Sequence, residues 1–115
     1  MAMRRELLAW QWRIYPGSHR QRLNLLIHAA TAPLFWIGLI AIVAALFGVG
    51  LWYLPAGAVL IAVPVFAQRF GHGREIQRPE PFAGFDDFVS RFFAEQLVTF
   101  PRFVLSGGWL RNLRG

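Results

Sequence analysis

The residues of this chain that could bind a metal ion are histidines with a carboxylate and an amide nearby in sequence. His72 and Glu75 are three residues apart, so on a helix their side chains lie on one face. Asn24 and His28 are four apart and share a face for the same reason. Neutral imidazoles and carboxylates together bind Fe(II), Zn(II) or Mn(II), and an imidazole beside a carboxylate can also act as a base. No cysteine is present, which excludes a thiolate site.

The distribution of charge indicates how these groups are positioned. No Asp, Glu, Lys or Arg occurs from Leu23 to Gln68, a run of 46 residues. One membrane span needs about 20 residues, so this run accommodates two spans and a turn. All 12 basic residues are arginines and lie outside the run, on both flanks. Because basic residues collect on the cytoplasmic side, the pattern predicts a helical hairpin with both termini cytoplasmic, and it argues against a nucleic-acid partner.

The sequence therefore predicts an all-α fold, a small membrane-embedded helical bundle formed by a single domain of 115 residues. The use of arginine for every basic residue, together with the many alanines and glycines, suggests a bacterial protein and therefore an inner-membrane location. The expected segments are an interfacial N-terminal segment (1–18), a helical hairpin (19–69), the stretch with His72 and Glu75 (70–82), and an amphipathic C-terminal helix with a tail (83–115).

Turn signals give the expected helix ends. Pro16-Gly17-Ser18 predicts a turn, with Ser18 as the N-cap of a helix that runs from about residue 19 to 49. The second span, about residues 55–68, is short: about 14 residues give about 21 Å against a hydrocarbon core of about 30 Å. It could start earlier, continue beyond Arg69, or enter the bilayer without crossing it.

The C-terminal segment has the pattern of an amphipathic helix. Apolar residues recur at helical spacing from Phe85 to Phe100, and Pro101 is expected to end the helix. Asp87, Arg91 and Glu95 fall elsewhere on the helical wheel. Such a helix would lie on the membrane or pack against a protein core, and Asp86 or Asp87 would cap it.

A hairpin with both ends on one side of the membrane would bring the candidate ligands together. His19 and His28 lie before the apolar run, and His72 and Glu75 lie after it. Each histidine taken alone is more simply explained as a hydrogen-bonded or interfacial residue. The whole set, in a chain with few polar groups, favours a metal site, because polar groups at membrane depth are costly and usually functional. An open site beside an apolar cavity would suit an iron oxygenase acting on a lipid, whereas a closed site would suit structural zinc.

The same residues resemble those of the Mpo-like family (metabolism of phytosphingosine to odd-numbered fatty acids). The resemblance covers about residues 12–105 and implies a small multi-helix membrane protein. It also implies an Fe(II)-dependent dioxygenase that shortens 2-hydroxy fatty acids by one carbon. By this resemblance His19, His28 and His72 would be metal ligands, Glu75 a ligand or a base, and Asn24 a supporting residue. The motifs that carry it are Tyr15-Pro-Gly-Ser-His19, Asn24-Leu-Leu-Ile-His28, Pro33, Gly71-His72 with Glu75, and Arg78-Pro79.

Two hypotheses follow for the function. The first is an Fe(II) dioxygenase, with Zn(II) or Mn(II) as alternative metals, that acts on a fatty-acid-like lipid and O2. In this hypothesis Glu75 and Asn24 take part in catalysis, and Arg20, Arg74 or Arg78 holds the substrate carboxylate. The second is a non-enzymatic membrane protein that binds anionic lipid or a partner membrane helix.

Overall fold

The computed structural model describes residues 6–115, and this part of the chain is helical without any β-strand. The prediction of an all-α bundle is confirmed. The first five residues of the predicted interfacial segment lie outside the described residues. The helices are α1 (Leu7–Ser18), α2 (Arg22–Leu46), α3 (Tyr53–His72), α4 (Phe85–Ala94), α5 (Phe100–Leu105) and α6 (Gly108–Arg114), with a π-helical turn, Glu95–Thr99, between α4 and α5.

Helices α2 and α3 form an antiparallel hairpin whose backbones approach closely at two glycines. A Cβ atom on Gly57 would lie 2.7 Å from the carbonyl oxygen of Gly38. A Cβ atom on Gly38 would lie 2.8 Å from Cβ of Leu60. Small residues at such a crossing are typical of helices that pack together within membranes. The hairpin therefore depends on the absence of side chains at this point.

The second helix of the hairpin is longer than the uncharged run suggested. It begins at Tyr53, before Pro55, and continues past Arg69 to His72. Its 20 residues correspond to about 30 Å at about 1.5 Å per residue, which matches a hydrocarbon core. The second span therefore both starts earlier than Pro55 and continues beyond Arg69.

Helices α2 and α3 are long and apolar enough to cross a membrane, by length and composition. Only 28% and 22% of the residues in their most apolar windows are buried. Large apolar side chains such as Ile40 and Phe66 are 69% exposed. A helix in the core of a soluble protein would be mostly buried, so these exposed apolar faces favour contact with lipid.

The remaining helices pack beside the hairpin around a small aromatic core. Tyr15, Leu25 and Phe103 are almost fully buried there. Two tryptophans that pack at its edge have satisfied indole groups: Trp36 Nε1 donates to the Gln96 carbonyl (2.8 Å) and Trp109 Nε1 to the Leu25 carbonyl (2.9 Å). These bonds tie α2 to the π-helical turn and to α6.

Two predicted helix ends are wrong. Pro16 lies inside α1, and Ser18 closes that helix by donating to the Ile14 and Tyr15 carbonyls instead of capping the next one. The cap of α2 is Gln21, whose side chain accepts from Leu23 N at 2.8 Å. Pro101 does not end the C-terminal helix either: it lies in the first turn of α5, where a missing N–H is tolerated.

Candidate metal centre

Four side chains from different parts of the fold meet in one group. His19 follows α1, His28 lies in the second turn of α2, His72 ends α3, and Glu95 opens the π-helical turn. One potential ligand atom from each lies within 4.8 Å of the other three. The three histidines singled out in the sequence are thus brought together, because the antiparallel hairpin returns His72 to the level of His28.

The three imidazole rings surround a common point. Their centroids are 4.7 Å apart for His19 and His28, 4.6 Å for His19 and His72, and 4.9 Å for His28 and His72. The corresponding angles between ring planes are 85°, 83° and 83°. Rings at nearly equal spacing and nearly perpendicular to one another can each direct one nitrogen toward the same ion.

Backbone carbonyls fix the orientation of two of the rings. His19 Nδ1 lies 2.9 Å from the Tyr15 carbonyl oxygen, and His28 Nδ1 lies 2.9 Å from that of Asn24. A carbonyl oxygen only accepts hydrogen bonds, so each ring carries a proton on Nδ1, and Nε2 is the nitrogen that a metal ion would bind once that nitrogen is free of its proton. Both Nε2 atoms face Glu95 Oε2, at 3.2 Å and 3.0 Å. Metal-binding histidines are commonly oriented in this way.

Two imidazole nitrogens in the group have no hydrogen-bond partner among the described residues and are available to a metal ion. His28 Nε2 and His72 Nδ1 are buried, and neither has a hydrogen-bond partner among the described residues. The 3.0 Å separation of His28 Nε2 from Glu95 Oε2 is close enough for an ion pair, but the angles are not those of a hydrogen bond. Buried nitrogens normally have a partner. A cation between the imidazoles and the carboxylate would supply it, and this donor set suits Fe(II), Zn(II) or Mn(II).

The pKa shifts of His19 and Glu95 favour metal binding. Burial lowers the pKa of His19, which keeps the imidazole neutral at neutral pH. Burial alone would raise the pKa of Glu95, but the imidazoles of His19 and His28 outweigh it and hold this pKa well below its ordinary value. A lowered pKa at His19 and at Glu95 favours a neutral imidazole and an ionised carboxylate at these two positions, which is what metal binding requires.

Tyr15 supports the group from the side of α1. Its hydroxyl donates to Glu95 Oε2 at 2.7 Å, and its ring stacks on His19 with centroids 3.7 Å apart. Burial and the negative charge of Glu95 raise the pKa of Tyr15 well above its ordinary value. Tyr15 therefore remains a protonated donor that orients one ligand and packs against another.

Glu75 is not a member of the group, so the fourth candidate ligand is Glu95 instead. The Glu75 carboxylate is buried and accepts hydrogen bonds from Arg20 N (3.1 Å), Gln21 N (3.0 Å) and Asn24 Nδ2 (2.8 Å). It therefore connects the start of α2 to the end of α3. At the start of α2 the helix dipole also favours a negative charge. Asn24 lies outside the group as well, and its carbonyl orients His28.

Glu95 was missed because it was placed on the polar side of an amphipathic helix and was not connected with the histidines. Asp87 is 1% exposed and Arg91 is 5% exposed, whereas Phe85 is 80% exposed. Asp87, Arg91 and Glu95 follow one another at intervals of four residues and form a polar stripe that faces inward. This spacing, in a chain with only 6 acidic residues, is a signal that would have added Glu95 to the candidate ligands beside Glu75.

An apolar cavity of about 590 Å³ lies beside the metal group. His19, His72 and Glu95 form part of its wall, and this volume is within the range of small-molecule sites. The apolar part of the wall includes Trp10, Ile14, Val65, Phe66, Phe88 and Phe92. A bound apolar chain would therefore lie in direct reach of the candidate metal ligands.

The arginines at the cavity are not those predicted from the sequence. Arg69 and Arg91 line it, whereas Arg20, Arg74 and Arg78 are exposed and do not. Arg78 Nη2 instead donates to the Gly73 carbonyl at 3.3 Å. None of the three arginines predicted to hold a substrate carboxylate therefore lines the cavity.

Comparison with known proteins adds no identification. No protein-family model, no curated protein and no solved structure matches this chain. The case for a metal centre therefore rests on the arrangement of His19, His28, His72 and Glu95.

Proposed function

We propose that this protein is a membrane-embedded Fe(II)-dependent dioxygenase that shortens 2-hydroxy fatty acids by one carbon. The observation that carries the proposal is the group of three histidines and Glu95 at the wall of an apolar cavity. The resemblance of the sequence motifs to the Mpo-like family supports the reaction class and the metal. The two long apolar helices support a membrane location. The arginines on both flanks of the uncharged run support the placement of both termini on the cytoplasmic side.

The proposed reaction balances with O2 as the oxidant. A 2-hydroxy acid R–CH(OH)–COOH and one O2 give R–COOH, CO2 and water, so the bond between the first two carbons breaks. The substrate loses four electrons and O2 gains them. Fe(II), when bound, would supply the redox chemistry.

The residues of the chain hold and shield the reacting groups. His19, His28 and His72 would bind the metal with Glu95, whose carboxylate is held by the hydroxyl of Tyr15. The apolar wall would take the acyl chain and exclude water from the reacting carbon.

The experiment is a product analysis with purified protein. Protein loaded anaerobically with Fe(II) is mixed with 2-hydroxypalmitic acid and O2, and the acids are separated by mass spectrometry. We expect an acid one carbon shorter, lost in His72→Ala and retained in the exposed-site control Arg74→Ala. Absence of this product from iron-loaded protein, or full activity in His72→Ala, would contradict the proposal.

A second candidate function is the binding of anionic lipid without catalysis. A groove of about 400 Å³ beside α2 and α6 is lined by Arg22, Arg114 and three leucines, Leu26, Leu110 and Leu113. Cations beside apolar side chains suit a phospholipid head group. This function predicts vesicle binding that weakens with salt and does not change when the histidines are replaced.

A further inference from the structure

The two arginines that line the cavity differ in their availability to a ligand. Arg91 is buried and donates to Asp87 Oδ2 (3.2 Å), to the Glu80 carbonyl (2.7 Å) and to the Pro81 carbonyl (3.3 Å). Its guanidinium also lies 4.3 Å from the ring centroid of Phe82. Arg91 is therefore occupied in holding the segment around Pro81 over the cavity.

Arg69 lines the same cavity but its guanidinium forms no hydrogen bond, ion pair or ring contact within residues 6–115. One face of α3 contributes Val65, Gln68, Arg69 and His72 to the wall. Residues three apart on a helix are neighbours on its surface, so Arg69 lies one turn from the His72 ligand. It is exposed, at the rim of the cavity.

The position of Arg69 along the chain also suits an acidic lipid. It is the first charged residue after the uncharged run, near the end of α3 that carries the metal ligand. An acyl chain inserted among the apolar side chains of the cavity would place its head group at this rim. Arginine binds carboxylates through two parallel N–H donors, which fixes the orientation of the acid as well as its charge.

We propose that Arg69 binds the carboxylate of the acid whose chain occupies the cavity, and so selects acids over neutral lipids. The inference rests on the proposed function of the site for the identity of the acid. Arg69 acts on substrate binding, and Arg91 supports the cavity wall.

The experiment measures binding without turnover. Zn(II)-loaded protein is titrated with 2-hydroxypalmitic acid and, separately, with its methyl ester, and the fluorescence of the tryptophans is followed, because Trp10 lines the cavity. For Arg69→Ala we expect the Kd of the acid to rise about 10- to 100-fold, the range for loss of hydrogen bonds to a charged group, with no change for the ester. Arg69→Lys should give an intermediate value for the acid.

Arg74→Ala is the matched control, because Arg74 is exposed, lies five residues after Arg69 and does not line the cavity. The Arg74→Ala variant should bind the acid as tightly as the wild type. Unchanged acid binding in Arg69→Ala, or an equal loss for acid and ester, would overturn the inference. If iron-loaded wild type forms no shortened acid while acid binding still requires Arg69, the dioxygenase proposal fails and the binding role of Arg69 stands.

Discussion

Replacing Glu75 by alanine should destabilise the fold without removing a metal ligand. The carboxylate is 5% exposed and accepts from Arg20 N, Gln21 N and Asn24 Nδ2. Each donor left without an acceptor costs about 1–3 kcal/mol, and water can reach the exposed Arg20 end of the clamp, so we take the lower value for each. The total is about 3 kcal/mol. For a domain of this size, that corresponds to a fall in Tm of about 10 °C or more.

The assay is the thermal unfolding of metal-free protein in detergent, followed by circular dichroism. Glu6→Ala is the matched control, because Glu6 is exposed and its side chain makes no capping hydrogen bond. Its Tm should stay within 2 °C of the wild-type value, roughly the effect of an ordinary surface substitution. If Glu75→Ala keeps the wild-type Tm and loses metal binding, the proposed stabilising role of the Glu75 hydrogen bonds is wrong and Glu75 is a metal ligand.

Three further predictions concern the site and the hairpin. Tyr15→Phe removes the hydrogen bond to Glu95 and should weaken metal binding about 10-fold, measured by titration against a chelator. Gly57→Ala places a Cβ against the Gly38 carbonyl and should cost about 1–3 kcal/mol, seen as a lower Tm. Metal-free protein should lose stability as pH falls below about 6.5, because the lowered pKa of His19 means that the unfolded chain takes up the proton first. The Tm measured between neutral pH and pH ~5.5 tests this.

Each of these predictions has a control and a contrary result. Gly50→Ala is the control for the hairpin, since its nearest neighbour, Tyr53, would be at an ordinary 3.4 Å; equal Tm values for both glycine variants would contradict the close packing. His19→Gln should flatten the pH dependence, and an unchanged profile would assign it to another group. Tighter or equal metal binding in Tyr15→Phe would show that Tyr15 does not orient Glu95.

The hairpin and three of the four members of the candidate site could be predicted because their signals are local. An uncharged run of 46 residues is long enough for two apolar helices and little else, and such a hairpin returns His72 to the level of His28. The choice between Glu75 and Glu95 could not be predicted in the same way. Both carboxylates are plausible ligands by type, and only the packing of α4 against α1 and the hairpin decides which one faces the imidazoles.

Both errors at helix ends concern a proline. Pro16 and Pro101 were taken as helix boundaries, but Pro16 lies inside α1 and Pro101 lies in the first turn of α5, where proline is tolerated. The π-helical turn had no sequence signal, although it directs Glu95, Gln96 and Thr99 toward the interior. Gln96 and Gln68 then exchange hydrogen bonds of 3.0 Å and 2.7 Å, which fixes this turn against α3. Such π-helical turns frequently occur at functional sites.

The metal content of purified variants tests the central claim most directly. Protein is loaded anaerobically with Fe(II), freed of excess metal, and measured by inductively coupled plasma mass spectrometry. We predict about one ion per chain for the wild type and for Glu75→Ala, and a large loss for Glu95→Ala and for alanine at each of His19, His28 and His72, because these four side chains form the group. Wild-type protein without stoichiometric metal, or Glu95→Ala with wild-type content, would contradict the account.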